Sequence, residues 1–276
     1  MLRGPFTRRY FVSCLGGAAA AWPLGARAQQ HKMLRVGFVG MQSREAPHYA
    51  NFLKRMAELG YQEGRNFTFD YIQTPDVEGY DRNYRELAGH NIDVFLAVGN
   101  EPALRAALSA AQGRPIAFLA VDFDPLARGY VTNLSRPGGN VTGIFVRQVE
   151  LEQGYASAFA AMNDARAQPI ILPAGPIFLR DRAVIAQALL ERRIPSIAAF
   201  RENMEAGALI SYGFDLMGLF YDIASYVHQI ARGAKPADMP IEQSPRFYMA
   251  VNLKTATSLG VSLSDVFVAR ANEVRE

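Results

Sequence analysis

Apolar and polar positions alternate in two rhythms along most of the chain. Leu34–Gly40 is a short β-rich run that ends in glycine. From Tyr49 to Leu59 the apolar residues are Tyr49, Phe52, Leu53, Met56 and Leu59, which is one face of a helix. Phe67–Tyr71 alternates as a strand does. Tyr80–His90 returns to helical spacing through Tyr84, Leu87 and Ala88. Val94–Val98 and Ile116–Val121 are continuous apolar runs, the pattern of strands covered on both faces. A helix is expected over Pro102–Ala111, a short one over Leu126–Leu134, and a fifth strand over Val141–Phe145 after the turn Arg136–Asn140.

The second half repeats the alternation with shorter pieces. Helices are expected over Ala156–Ala167, Ala183–Arg193, Leu216–Arg232 and Leu253–Leu259. Strands are expected at Ile170–Pro173, Ser196–Phe200, Ala208–Ser211 and Phe247–Val251. Asp265–Glu276 reads as a surface helix. Strands separated by helices predict an α/β fold of doubly wound, parallel sheets. Such sheets bind ligands beyond the carboxyl ends of their strands. In the first half those ends are the loops Met41–Ser43, Gly99–Glu101 and Asp122–Asp124.

The first 28 residues follow neither rhythm. Arg8-Arg9 precedes the apolar run Val12–Leu24, and Ala26-Arg27-Ala28 closes it. A basic start, an apolar middle and a small-x-small exit describe a secretory signal peptide, and the paired arginines give it a twin-arginine character. The apolar run has 13 residues, against the roughly 20 of a spanning helix. Cleavage near Ala28 and a periplasmic location are expected. The whole chain carries 29 Lys+Arg and 26 Asp+Glu. Four of the arginines lie in the leader, so 25 basic face 26 acidic residues without it. No basic cluster remains to neutralise phosphates, and no nucleic-acid partner is expected. The single cysteine, Cys14, also lies in the leader. The remainder has no disulfide, thiolate metal site or cysteine nucleophile.

No Gly-x-Gly-x-x-Gly, Walker loop or Gly-x-Ser-x-Gly elbow is present. The four histidines are scattered, without metal-ligand spacing, and read as surface or helix-end residues. Neither a cofactor, a metal nor a catalytic group is expected, and the chain is not read as an enzyme. The strand-end loops carry the candidate chemistry, and each has two open readings. Gly99-Asn100-Glu101-Pro102 either offers helix N–H groups to an anion or is capped by Asn100 alone. In Asp122-Phe123-Asp124-Pro125, an acid can pair with a ligand ammonium and Phe123 can cover an apolar group, or Asp124 simply caps. Gln42 and Ser43 lie at the first strand end. Phe200, Glu202 and Asp215 lie at strand ends of the second half, where the alternatives are a core phenylalanine, a solvated Arg–Glu pair and a helix cap.

Six stretches, taken together, resemble a known family. They are Phe52–Asn66, Val94–Ala103, Pro115–Pro125, Leu134–Gly143 (LSRPGGNVTG), Ile194–Gly213 (with EAG and SYG) and Gly233–Lys254. The chain resembles the periplasmic substrate-binding proteins of ABC transporters that include the tryptophan/tyrosine-type binding proteins. The resemblance implies a class-I periplasmic binding fold, with two α/β lobes closing on a small solute and a membrane permease as partner. On this likeness 1–28 is the signal, 33–146 the first lobe and 147–276 a shortened second lobe with a C-terminal return segment. Gly99–Glu101 and Asp122–Asp124 would form one wall of the cleft, with Phe200–Glu202 and Asp215 opposite. An amino-acid-like solute would suit them. Members carry a further helix–strand–helix–strand segment where this chain has Val146–Gly154. Asn100-Glu101 replaces small, hydroxyl-bearing residues, and the Glu101 charge would repel a ligand carboxylate. An exported ligand sensor without transport, or a copy with impaired binding, is the alternative.

Overall fold

The computed structural model describes residues 33–146, 168–244 and 247–276. The expected signal peptide and the helix expected over 156–167 lie outside them.

Strands β1 (Leu34–Gly40), β2 (Phe67–Gln73), β3 (Val94–Gly99), β4 (Ile116–Ala120) and β5 (Val141–Phe145) form a parallel sheet in the order β2-β1-β3-β4-β5. Successive side chains leave a strand on opposite faces, so each strand feeds two cores. Phe38 and Leu119 pack with α1 (Pro47–Glu58) through Tyr49, Phe52 and Met56. Val39, Phe95 and Phe118 pack on the other side with α2 (Gly79–Ala88) and α3 (Glu101–Ala111) through Tyr80, Tyr84 and Leu104. This is the doubly wound sheet expected from the sequence. Gly143 of β5 sits opposite Phe118 of β4, and a Cβ there would lie 1.9 Å from the Phe118 carbonyl oxygen. Only glycine fits that approach.

The second sheet has the order β11-β10-β8-β7-β6. Strands β6 (Ile170–Leu172), β7 (Ser196–Ala198) and β8 (Ile210–Phe214) run parallel. β10 (Phe247–Asn252) runs antiparallel to β8, and β11 (Glu273–Arg275) parallel to β10. Its helices are α4 (Pro176–Arg180), α5 (Arg182–Glu191), α6 (Arg201–Ala206), α8 (Leu253–Leu259) and α9 (Asp265–Val268).

One helix crosses over. α7 (Leu216–Ala231) follows β8 in sequence but packs beside α1 on the first sheet, burying Leu219, Phe220, Ile223 and Val227 against that core. After it β9 (Glu242–Gln243) adds to β5 in parallel. Residues 216–243 therefore complete the first sheet, whereas the sequence reading counts them with the second half. Periodicity marks which stripe of a helix is buried, not which sheet buries it.

Two local expectations are corrected. Residues 126–134 form turns rather than a helix. Gly129 takes φ +75° after a single turn, and the Val131-Thr132 pair follows it. Asp265–Glu276 is a helix only to Val268, and residues 273–275 are recruited as a strand. Ala250 and Asn252 of β10 pair with Glu273 and Arg275. An open edge of backbone N–H and C=O groups outweighs the helical preference of that short polar run. Among the described residues, no helix is long and apolar enough to cross a membrane.

Candidate functional site

From Leu34 to Glu276 the chain forms one compact unit, and its two sheets face each other across a cleft. The first sheet contributes the carboxyl ends of β1, β3 and β4, at Gly40–Gln42, Gly99 and Val121. The second contributes α4 and the start of α6 at Phe200, and the crossing helix α7 adds its start at Leu216. The floor is aromatic and closed. Phe38, Tyr49, Tyr80, Phe200 and Phe220 surround a cavity of about 40 Å³. Tyr49 and Phe220 meet at 5.3 Å between ring centroids, and Phe200 meets Phe214 edge-on at 5.4 Å.

α4 closes this floor. Pro176 lies over Gly99, its Cγ 3.4 Å from where a Cβ on Gly99 would stand. Gln42 Nε2 donates to the Pro176 carbonyl at 2.9 Å. The Tyr49 hydroxyl donates to Gln42 Oε1 at 3.1 Å, and the Tyr71 hydroxyl donates to the Gln42 carbonyl. Leu179 is 5% exposed and joins the first sheet's core. Above the floor a larger cavity of about 510 Å³ opens, lined by Gln42, Ser43, His48, Arg182, Arg201 and Glu202 among others.

Three ionisable groups here are shifted. His48, at the start of α1, is 4% exposed and meets Tyr49 edge-on and Phe220 at a tilt. Burial, and then the nearby charge of Arg182, push its pKa down to about 3, so the ring is neutral. Its helix-end position agrees with the sequence, but a surface place does not. Burial also raises the Tyr49 hydroxyl well above its usual range. Glu202 is 9% exposed, and its Oε2 has no hydrogen-bond partner among the described residues. Burial raises its pKa, with Arg182 among the charges opposing the shift.

The sequence candidates divide by place. Gln42, Ser43, Gly99, Phe200 and Glu202 line the two cavities. Asn100 is the α3 cap and accepts from the Ala103 N–H at 3.3 Å. Glu101 faces its own lobe, accepting from the Tyr130 hydroxyl at 2.8 Å and pairing with Arg128 at 3.4 Å. Its charge is thereby answered, which removes the expected repulsion. Asp122 accepts the Glu101 N–H at 3.1 Å. It stays exposed, yet desolvation by the protein around it pushes its carboxyl up to about 6. Asp124 caps its turn through the N–H groups of Leu126 and Ala127. Asp215 caps α7 by accepting from Gly218 at 3.0 Å. Phe123 is buried against Tyr130 in the core of the far face, not over the cleft. For Asn100, Asp124 and Asp215 the structure thus realises the capping alternative, and the expected cover by Phe123 over the ligand is corrected, because that ring packs in the far-face core.

Sequence reasoning missed His48, Arg182, Pro176 and Leu179. The strand-end rule points to loops after strands, whereas these four lie on helices that dock into the cleft. Pro176 at the head of α4 was the available signal, since proline favours a first helical turn. Among the described residues, no group of three or more His, Cys, Asp or Glu side chains is placed to hold a metal ion.

The sequence profile of the family described as "ABC transporter substrate binding protein" matches residues 38–154 and 157–275. The chain belongs to that family. The break in the match, at residues 155–156, comes directly after Val146–Gly154, the segment that stands where the resemblance locates a missing unit. A tyrosine-binding protein of Clostridioides difficile is 22% identical over 75% of each chain. Among solved structures, a conserved domain protein of Vibrio cholerae superposes with a TM-score of 0.74 at 21% identity, covering 88% of this chain and all of that one. A Streptococcus pneumoniae ABC domain in complex with L-Trp gives 0.73 at 19% identity, covering 87% and 99%. At these identities the superpositions establish the fold: an α/β periplasmic binding architecture. The family binds small solutes.

Proposed function

We propose that this protein is the exported solute-binding component of an ABC-type importer. It captures a small amino-acid-like solute in the cleft and presents it to a membrane permease, without catalysis. The observation that carries the reading is the cleft itself. It lies beyond the carboxyl ends of a parallel sheet, where such sheets take ligands. It holds about 510 Å³, within the range of small-molecule sites. Within it a buried carboxylate oxygen of Glu202 has no donor among the described residues. The relatives' solutes, tyrosine and L-Trp, support an amino acid over other small molecules. Export through a twin-arginine leader cleaved near Ala28 would deliver the protein to the periplasm. That route carries folded cargo, so the short second sheet would have to form before export.

Native mass spectrometry of the purified protein, followed by identification of released small molecules, tests the reading. An amino acid released at a stoichiometric amount is expected. A protein that releases nothing, and whose melting temperature no member of a broad amino-acid and sugar panel raises, refutes it.

A further inference from the structure

We infer that the cleft selects a zwitterion with a short side chain. Glu202 receives its ammonium, Arg182 its carboxylate, and Leu179 limits the side chain's size. The inference rests on the solute-binding reading above.

The polar part follows from which charges are already answered. Around the larger cavity, Glu45 accepts the Ser43 hydroxyl. Arg180 pairs with Asp181, and Arg201 with Glu205 and Glu273 at 3.1 and 2.5 Å. Two groups remain. Glu202 is more than nine-tenths buried, with Oε2 unpartnered among the described residues. An acid removed from water without donors is costly, and a ligand ammonium supplies them. Arg182 donates one N–H to the Leu179 carbonyl at 2.8 Å and makes no ion pair among the described residues. The rest of its guanidinium fork suits a carboxylate. A negative and a positive side chain on the same wall, close enough to feel each other but without an ion pair among the described residues, match a zwitterion better than a sugar or a simple anion.

The size limit follows from the floor. The two cavities share Met41, Gln42, His48 and Leu179 as walls, so a side chain leaving the polar cavity meets the aromatic one. That cavity offers about 40 Å³, whereas a buried benzene ring occupies one of about 150 Å³. A methyl or hydroxymethyl group fits, and a phenol or indole does not. The restriction comes from Pro176 and Leu179, which sit where an aromatic side chain would be received.

Isothermal titration of the purified full-length protein tests this with L-alanine, L-serine, L-tyrosine, L-tryptophan, ethylamine, propionate and glucose. Alanine or serine is expected to bind at least tenfold more tightly than the aromatic amino acids. Ethylamine and propionate each lose one charged partner, and about 10- to 100-fold weaker binding is expected. Glu202→Gln should weaken alanine by a similar factor with the circular dichroism spectrum unchanged. Leu179→Ala, titrated with L-leucine as well, should bind it at least tenfold more tightly than the wild type does. Tyrosine or tryptophan binding as tightly as alanine overturns the size limit. Propionate equal to alanine overturns the role of Glu202. Glucose binding alone overturns the zwitterion while leaving solute capture standing. Binding by no compound, here or in the broad panel, overturns both readings.

Discussion

Lowering the pH isolates the burial of His48. The folded chain holds this imidazole neutral, with its pKa pushed down to about 3, first by burial and then by Arg182. In the unfolded chain an imidazole titrates near 6.5. Below that value the unfolded state takes up a proton that the folded state refuses. The stability contribution is therefore fully present above pH 6.5 and is lost progressively as pH falls toward 3. At pH 5 the gap to 6.5 is about 1.5 pH units, so the loss is about 2 kcal/mol. Two acids act in the opposite sense. Asp122 is raised to about 6 and Glu202 is also raised, so the folded state binds their protons more readily as pH falls. The wild-type curve alone thus mixes effects, and the comparison with His48→Leu separates them. That variant keeps an apolar group against Tyr49 and Phe220 and removes the titration. Urea unfolding at pH 7.5, 6.5, 5.5 and 5.0 should show the wild type losing about 2 kcal/mol more than the variant across this range. Equal losses in the two proteins would refute the burial argument. So would a His48 ring resonance that moves between pH 7.5 and 5.

Three further outcomes are expected. Gly143→Ala drives a methyl into the Phe118 carbonyl and should cost more than about 3 kcal/mol, read as loss of soluble, cooperatively melting protein; a melting temperature near that of the wild type counts against the register of β4 and β5. Phe220→Ala removes a ring packed on Tyr49, His48 and Phe38 and should cost about 3–5 kcal/mol in urea unfolding. Asp122→Asn and Asp215→Ala remove a loop contact and a helix cap; each should lower stability by about 1 kcal/mol and leave solute affinity within about twofold, and a larger affinity loss in either would move that residue into the binding surface.

Much of the first sheet was legible in the sequence because its strands are apolar runs long enough to be covered on both faces. Val94–Val98 and Ile116–Val121 read as buried strands, and the structure has strands at Val94–Gly99 and Ile116–Ala120. The helices between them carry single apolar stripes, and α1 and α2 fall within a residue or two of their expected limits. Less of the cleft was legible. Gln42, Ser43, Gly99, Phe200 and Glu202 could be placed there because topology fixes where strand ends go. Asn100, Asp124 and Asp215 have side chains that serve a cap and a ligand equally well, and sequence cannot separate the two.

The sequence by itself determined the alternation of strand and helix, the parallel first sheet and the loops at its carboxyl edge. These follow from local periodicity and from the few ways such units can wind. The tertiary structure alone decided that α7 crosses to the first sheet, that 273–275 becomes a strand, and that α4 fills the floor of the cleft. Each is a choice of partner between surfaces distant in sequence. That choice is made by the area and the hydrogen bonds left open elsewhere in the fold, which no local pattern records.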